Sequence, residues 1–384
     1  MRLPHSKPPF AKVLVAITED WFLLSHFRPL IAELRQLARE VVVVTRNSGR
    51  LAEVQALGVR TIDLDYNRSS MNPVREAATV RQLSQILRAE RPDVLHLIAM
   101  KPIVLAGLAG AFAGVPHTLV HITGFGYLAV SQRLKSRLAH ASALFIARRV
   151  LNRPGNWLIA ENPDDASLLA GPQTRVTILG GAGIDPEQFP ALNPPVAEPP
   201  VAACVGRMVR SKGVDVLMSA GEILTARGVP LAIELYGRSD DGNPEAVPAS
   251  ELKAWNSGPL RRWLGHTSDV AAVWRNAGIF VTPTRGGEGL PRALLEAAAS
   301  ARPLIVTDVP GCRHFVRDGV EGLIVPPSNA TALADALETL ARDPALRRKL
   351  GLAARARLLD GYTEAGVRAG LARTYRSLRS STQP

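Results

Sequence analysis

The stretch GIFVTPTRGGEGLPRALLEAAASA, residues 278–301, holds a short β-branched apolar run, a glycine-rich corner, a proline and then a run of helix formers. An unalternating apolar run bounded by turn residues is the pattern of a strand buried on both faces of a parallel sheet. Pro291 suits the first position of a helix, which then extends through LLEAAASA up to Pro303. Strand, corner and helix form half of a βαβ unit.

The same pattern recurs on both sides. KVLVAI, EVVVVT, RTIDL, DVLHLI, HTLVHIT, WLIAE and TRVTIL read as buried strands, and PLIAELRQLA and EAATVRQLSQILRAE between them carry helical spacing. The alternation pauses at PALNPPVAEPPVAA, with prolines at 190, 194, 195, 199 and 200. It restarts with VAACVGR, LAIELYG, GIFVTPT and RPLIVTD, separated by helical stretches such as VDVLMSAGEILTA, DVAAVWRNA and ATALADALETLA. The expectation is an α/β protein of two doubly wound parallel-sheet domains, over 1–190 and 204–362, joined by a proline-rich linker at 191–203. A terminal helix within 363–384 would cross back to the first domain. Open α/β sheets bind ligands at the carboxyl ends of their strands, so a cleft between the domains is the expected site.

Composition narrows the function. A 384-residue chain with 46% apolar residues can bury two ordinary cores. The two cysteines, Cys204 and Cys312, lack metal-ligand spacing, which suits a reducing, cytoplasmic setting. MRLPHSKPPFAK lacks the apolar core of a secretory signal, and PIVLAGLAGAFAGVP, 102–116, reads as a buried helix because glycine interrupts it and proline closes it. The net charge of +12 favours anionic partners. Val94 to Ala160 contains no Asp or Glu, yet holds Lys101, Arg133, Lys135, Arg137, Arg148, Arg149 and Arg153. Within it QRLKSRLAHASALFIARRVL, 132–151, fits an amphipathic helix at the inner face of the cell membrane, a solvated helix face being the plainer alternative. Aromatic residues are only 5% and no nucleic-acid module appears, so no nucleic-acid partner is expected.

Chemistry concentrates at two corners. In CVGRMVRSKG a strand ends at Gly206, Arg207 follows, and Lys212-Gly213 precedes a helix, so a planar fork and a point charge suit a diphosphate. In GGEGLPRALLE the backbone N–H groups of Gly289 and Leu290 stand at the positive end of the next helix, a second anion site. Glu288 precedes the turn, and Glu296 lies about 7 Å along the helix from Pro291. Carboxylates beside a phosphate accept from hydroxyls, and a ligand with hydroxyls on both sides of a diphosphate is a nucleotide-sugar. No GxGxxG follows the first strand, where TEDWFLLSH stands, and GFG at 124–126 is a tight turn. Asp63-Leu-Asp65 spells DxD at a strand end and is not expected to hold a metal.

With these motifs the chain resembles the retaining glycosyltransferases of family 4, which have the GT-B fold of two facing Rossmann-like domains. The resemblance runs through EDWFLLSHFRPLIAEL, NRSSMNPVREA, PDVLHLIAMKP, HITGFGYLAV, ENPDD, LGGAGIDPEQF, GRMVRSKG, GGEGLPRALLEA and RPLIVTDVPGCRHFVRDGVEGLIVPP. Its first half is similar to bacterial enzymes that extend lipid-diphosphate-linked saccharides in surface glycan assembly. It implies that Arg207 and Lys212 contact the donor diphosphate beside Gly206, and that Glu288 holds the transferred sugar. Gly289 and Leu290 would donate from the backbone, and Glu296 would hold the ribose. It also implies no metal or other cofactor, the nucleotide-sugar being the donor substrate, with UDP the expected nucleotide. The sequence departs from the family in two places. TEDWFLLSHF lacks the family's glycine-rich loop, so Asp20, Ser25 and His26 become acceptor-side candidates, with Arg68 and Lys101 from the neighbouring motifs. Thr123-Gly124 stands where many relatives carry His-Gly, with His121 two residues earlier, and His121 and Thr123 join the acceptor-side candidates. A nucleotide-sugar epimerase or hydrolase of the same fold, and a non-catalytic scaffold of glycan assembly, are the rival readings.

Overall fold

The computed structural model describes residues 8–66, 72–131, 133–195, 198–240, 243–256, 258 and 260–380. It divides into two compact units, the second spanning Gly183–Thr363 and the first comprising the described residues on either side.

The first unit is built on a seven-stranded sheet of order β3-β2-β1-β4-β5-β6-β7. Its strands are β1 Phe10–Glu19, β2 Ala38–Arg46, β3 Arg60–Asp63, β4 Val94–Ile98, β5 His117–Ile122, β6 Trp157–Ala160 and β7 Arg175–Ile178. The second unit holds a six-stranded sheet of order β10-β9-β8-β11-β12-β13. Here β8 is Val201–Val205, β9 Ala232–Tyr236, β10 Arg261–Trp263, β11 Ile279–Thr282, β12 Leu304–Thr307 and β13 Gly322–Val325. All ladders between these strands are parallel. The order reverses beside β1 in one sheet and beside β8 in the other, the mark of doubly wound domains. Each sheet is buried on both faces: Val13, Val15 and Ile17 of β1 enter one cluster, while Leu14 and Ala16 enter the opposite one.

One boundary differs from expectation. The first unit closes at Ala182, so the end of the expected first domain and the described residues of the proline-rich linker belong to the second unit. Ile184 and Phe189 lie in its core. Arg355 donates to the carbonyl of Phe189 and the buried Arg302 to that of Asn193, both at 3.1 Å. Guanidinium groups supply the partners that a proline-rich backbone cannot find in a ladder. The helix Glu364–Ser380 packs on Arg28–Leu37 in the first unit, with Val367, Leu371, Tyr375 and Leu378 in the cluster that contains β1 residues. Helix Met100–Ala113 is largely buried, and no helix among the described residues is long and apolar enough to cross a membrane.

Candidate active site

At the exit of β8 the chain turns through Gly206 and Arg207 into a short 3₁₀ turn, Arg210–Lys212, and Gly213 then starts the helix Val214–Ala226. Gly213 has φ +67°, and a Cβ there would lie 2.0 Å from the Pro283 carbonyl oxygen at the exit of β11. Only glycine lets the two exits approach so closely. Arg285 fastens them further. Its N–H donates to the Ser211 carbonyl at 2.7 Å, its fork grips Asp215 at 2.9 and 2.8 Å, and its Nη1 also donates to the Arg210 carbonyl. Burial works against the Asp215 carboxylate, yet the Arg285 fork and charge hold its pKa below the ordinary value.

This clamp brings Lys212 and Glu288 together, the Nζ lying 2.7 Å from each carboxylate oxygen. Lys212 passes over Gly206, where a Cβ would stand 3.5 Å from Cε. Cys204 and Cys312 lie buried within reach of the pair's field, and burial pushes each thiol up to about 12, so neither is a thiolate at neutral pH. Arg207 turns instead to Asp240 at 2.6 Å.

The helix after β11 runs from Arg292 to Ala299, with Pro291 at the N-cap rather than at the first helical position. Gly289 and Leu290 therefore stand ahead of the helix, and its leading N–H groups belong to Arg292 and Ala293. Gly311 seats this corner, since a Cβ on it would lie 1.8 Å from the Gly289 carbonyl oxygen. The helix also ends short of Pro303, because Ala301 takes a left-handed conformation with φ 56°. Glu296 is buried and accepts from Arg292 Nε at 2.8 Å. Burial raises its carboxyl above the ordinary range, and Arg292 offsets this only in part.

The first-unit candidates divide. Asp20 is fully buried, and its oxygens accept from the N–H groups of Trp21, Ser48 and Arg50 and from the Ser48 hydroxyl. It is an anchor for the loop after β2 rather than the acceptor contact expected above. Ser25 Oγ and His26 Nδ1 lie 2.7 Å apart on the short helix Asp20–His26. Lys101 pairs with Glu76 at 2.8 Å, Thr123 follows β5 half-buried, and Arg68 lies outside the described residues. His121 is buried in a chain: Tyr375 Oη lies 2.7 Å from His96 Nδ1, and His96 Nε2 lies 3.2 Å from His121 Nδ1. His121 Nε2 has no partner among the described residues. Burial holds both imidazoles neutral, with His121 lowered to about 3. The DxD carboxylates are occupied locally, Asp63 by the Asn47 N–H and Asp65 by Arg75.

Sequence reasoning passed over Asp215, Asp240, Arg285 and Arg292. Arg285 lies inside the quoted RGGEG loop, where a cation among glycines was an available signal. Asp240 and the His96–Tyr375 contact have none, since they depend on chain segments brought together only by folding.

Two parallel-sheet Rossmann-like domains, with a lysine–glutamate pair at the strand exits of the second, have the architecture of the GT-B fold. A family model described as glycosyl transferases group 1 matches residues 199–343, and one described as glycosyl transferase 4-like matches residues 12–153. The N,N'-diacetylbacillosaminyl-diphospho-undecaprenol alpha-1,3-N-acetylgalactosaminyltransferase of Campylobacter jejuni is 24% identical over 343 residues, covering 85% of this chain and 88% of its own. The glycogen synthase of Mycobacterium tuberculosis is 30% identical over 315 residues, covering 77% and 72%. Among solved structures, Anabaena HepE in complex with UDP superposes with a TM-score of 0.74 at 16% identity, covering 95% of this chain and 100% of that one. Sucrose-phosphate synthase from Thermosynechococcus elongatus gives 0.79 at 20% identity, covering 97% and 100%. The chain belongs to the group 1, GT4-type glycosyltransferases.

Proposed function

We propose that this glycosyltransferase moves a sugar, with retention of configuration, from a UDP-sugar to a lipid-diphosphate-linked saccharide at a membrane surface. The observation that carries the donor half is the Lys212–Glu288 pair beside Gly206 and Arg207 at the exits of β8 and β11. On a bound donor Lys212 and Arg207 take the diphosphate, Glu288 turns to the sugar hydroxyls, and Glu296 accepts from the ribose. The sugar C–O bond to phosphate breaks as the acceptor oxygen bonds to the same carbon on the same face. The acceptor proton passes to the departing phosphate oxygen. Lys212 and Arg207, once turned to the diphosphate, offset the charge that grows on the leaving group, and no metal is needed in this scheme. A solved UDP complex of a protein with this fold and the acceptor named for the Campylobacter relative both favour the reading.

The membrane half rests on the helix Leu134–Leu151. Leu134, Leu138 and Phe145 are 70%, 60% and 58% exposed, and Phe112 on the adjoining helix is 66% exposed. Lys135, Arg137, Arg148 and Arg149 flank them on the surface, with the Arg149 guanidinium 5.0 Å over the Phe145 ring. Apolar residues at helical spacing with cations alongside suit an anionic lipid surface.

A panel of nucleotide-sugars tested for thermal stabilisation, followed by transfer to a lipid-diphosphate saccharide, tests the reading. Stabilisation by a UDP-sugar and an extended acceptor are expected. A new nucleotide-sugar released from donor alone, without acceptor, would mark an epimerase instead.

A further inference from the structure

We propose that Tyr375 of the terminal helix is a positioning residue for the acceptor side, acting through His96 and His121 on the exits of β4 and β5. This rests on the acceptor half of the reading above. Alternation along the strands puts His96 and His121 on the sheet face of Val94, Ile98 and Leu119, where Tyr375 packs. Burial keeps both imidazoles neutral, so each carries one N–H. The fully buried Tyr375 hydroxyl lies 2.7 Å from His96 Nδ1, and only by donating there does it avoid an orphaned O–H. His96 Nε2–H then donates to His121 Nδ1 at 3.2 Å, and the proton of His121 sits on Nε2. The reverse order would strand the phenol hydrogen as well as His121 Nε2, which has no partner among the described residues in either case.

Apolar side chains of similar volume would fill this core about as stably, so the relay specifies an arrangement more than it adds stability. What it arranges is the acceptor side. The His121 carbonyl accepts the Ala99 N–H at 3.2 Å, and Ala99, with φ 69° and ψ 161°, holds a conformation otherwise left to glycine. Such a residue stays in place only where its neighbours hold it. Ala99 caps the helix whose first turn carries Lys101, and His121 stands two residues ahead of Thr123. The His121 ring also meets Phe27, the residue after His26, edge to face at 5.5 Å. His121 thus supports three acceptor-side segments, and the terminal helix fixes His121.

Tyr375→Phe removes the hydroxyl alone. The KM for a lipid-diphosphate saccharide should rise about three- to tenfold, the size of one lost hydrogen bond, while UDP affinity by calorimetry stays within about twofold. Nitrogen-15 histidine spectra should show His96 and His121 of the wild type protonated at Nε2, and mixed tautomers at both rings in Tyr375→Phe. Leu371→Ala, which loosens the same helix by apolar loss, should lower the Tm yet keep both tautomers and the acceptor KM, separating positioning from docking strength. His121 protonated at Nδ1 in the wild type overturns the inference, whether or not any variant folds. An acceptor KM unmoved in Tyr375→Phe overturns it too, as does a UDP affinity that falls in parallel. A wild type that binds UDP but extends no lipid-diphosphate saccharide refutes the acceptor reading itself, and this inference with it.

Discussion

Gly213→Ala probes the clamp on which the site depends. The methyl would stand 2.0 Å from the Pro283 carbonyl oxygen and 2.8 Å from its carbon, and the backbone has φ +67°. The left-handed conformation alone costs an alanine about 1–2 kcal/mol. Relieving a backbone clash by moving a packed strand exit adds about 1–3 kcal/mol. The sum, about 2–5 kcal/mol, is a large share of an ordinary domain's stability. Gly228→Ala is the control, because Gly228 has φ +66° with nothing within 4 Å of its added carbon, so it carries the conformational term alone. Urea unfolding of both variants isolates the clash. Transfer kinetics then read its effect on Lys212, since a displacement of about 1 Å costs on the order of a hundredfold in rate. Equal losses of stability for the two variants, or wild-type transfer by Gly213→Ala, would refute the claim that this contact sets the Lys212–Glu288 geometry.

Glu296 has a folded pKa raised by burial, so the stability it contributes is present below the unfolded value near 4.5 and is lost as pH rises. Glu296→Gln should therefore raise the unliganded Tm at pH 7 while weakening nucleotide binding about tenfold by calorimetry, and a lowered Tm contradicts this. His96 and His121 have folded values depressed by burial, so the stability they contribute is present above about pH 6.5 and declines as the unfolded imidazoles take up protons below it. Urea melts between pH 7 and 5 should lose up to about 1.4 kcal/mol per pH unit per histidine, and His121→Gln should remove one share. Vesicles rich in anionic lipid should sediment the protein at low salt and release it at high salt, and Arg148→Glu with Arg149→Glu should weaken that binding. Unchanged binding would exclude the helix Leu134–Leu151 as the contact.

Most of the fold was legible because its strands are buried on both faces, and KVLVAI or EVVVVT has no other economical place in a soluble domain. The exceptions follow from the same rule. β10 is the edge triplet Arg261–Trp263 with two arginines, and β13 opens on Gly322, which a Cβ would drive to 1.9 Å from the Leu304 carbonyl oxygen. β10 presents no apolar run, and that of β13 is only Leu323, Ile324 and Val325, cut short by Gly322 before it and Pro326 after it. At the site, Gly206, Arg207, Lys212 and Glu288 were legible from glycine and charge at strand ends. The Asp240 that pairs with Arg207 was not, and neither was the Asp215 that Arg285 grips, because both contacts form between loops distant in sequence. Asp20 misled for the opposite reason, because a carboxylate after a strand looks the same in sequence whether it faces a ligand or caps three backbone N–H groups.

Transfer itself tests the central claim most directly. With the preferred nucleotide-sugar and a lipid-diphosphate saccharide, initial rates of the wild type should fall on the order of a hundredfold or more in Lys212→Ala and Glu288→Gln, both folded. Rates within about a factor of two of wild type in either variant would contradict the assignment of the pair to the reacting donor.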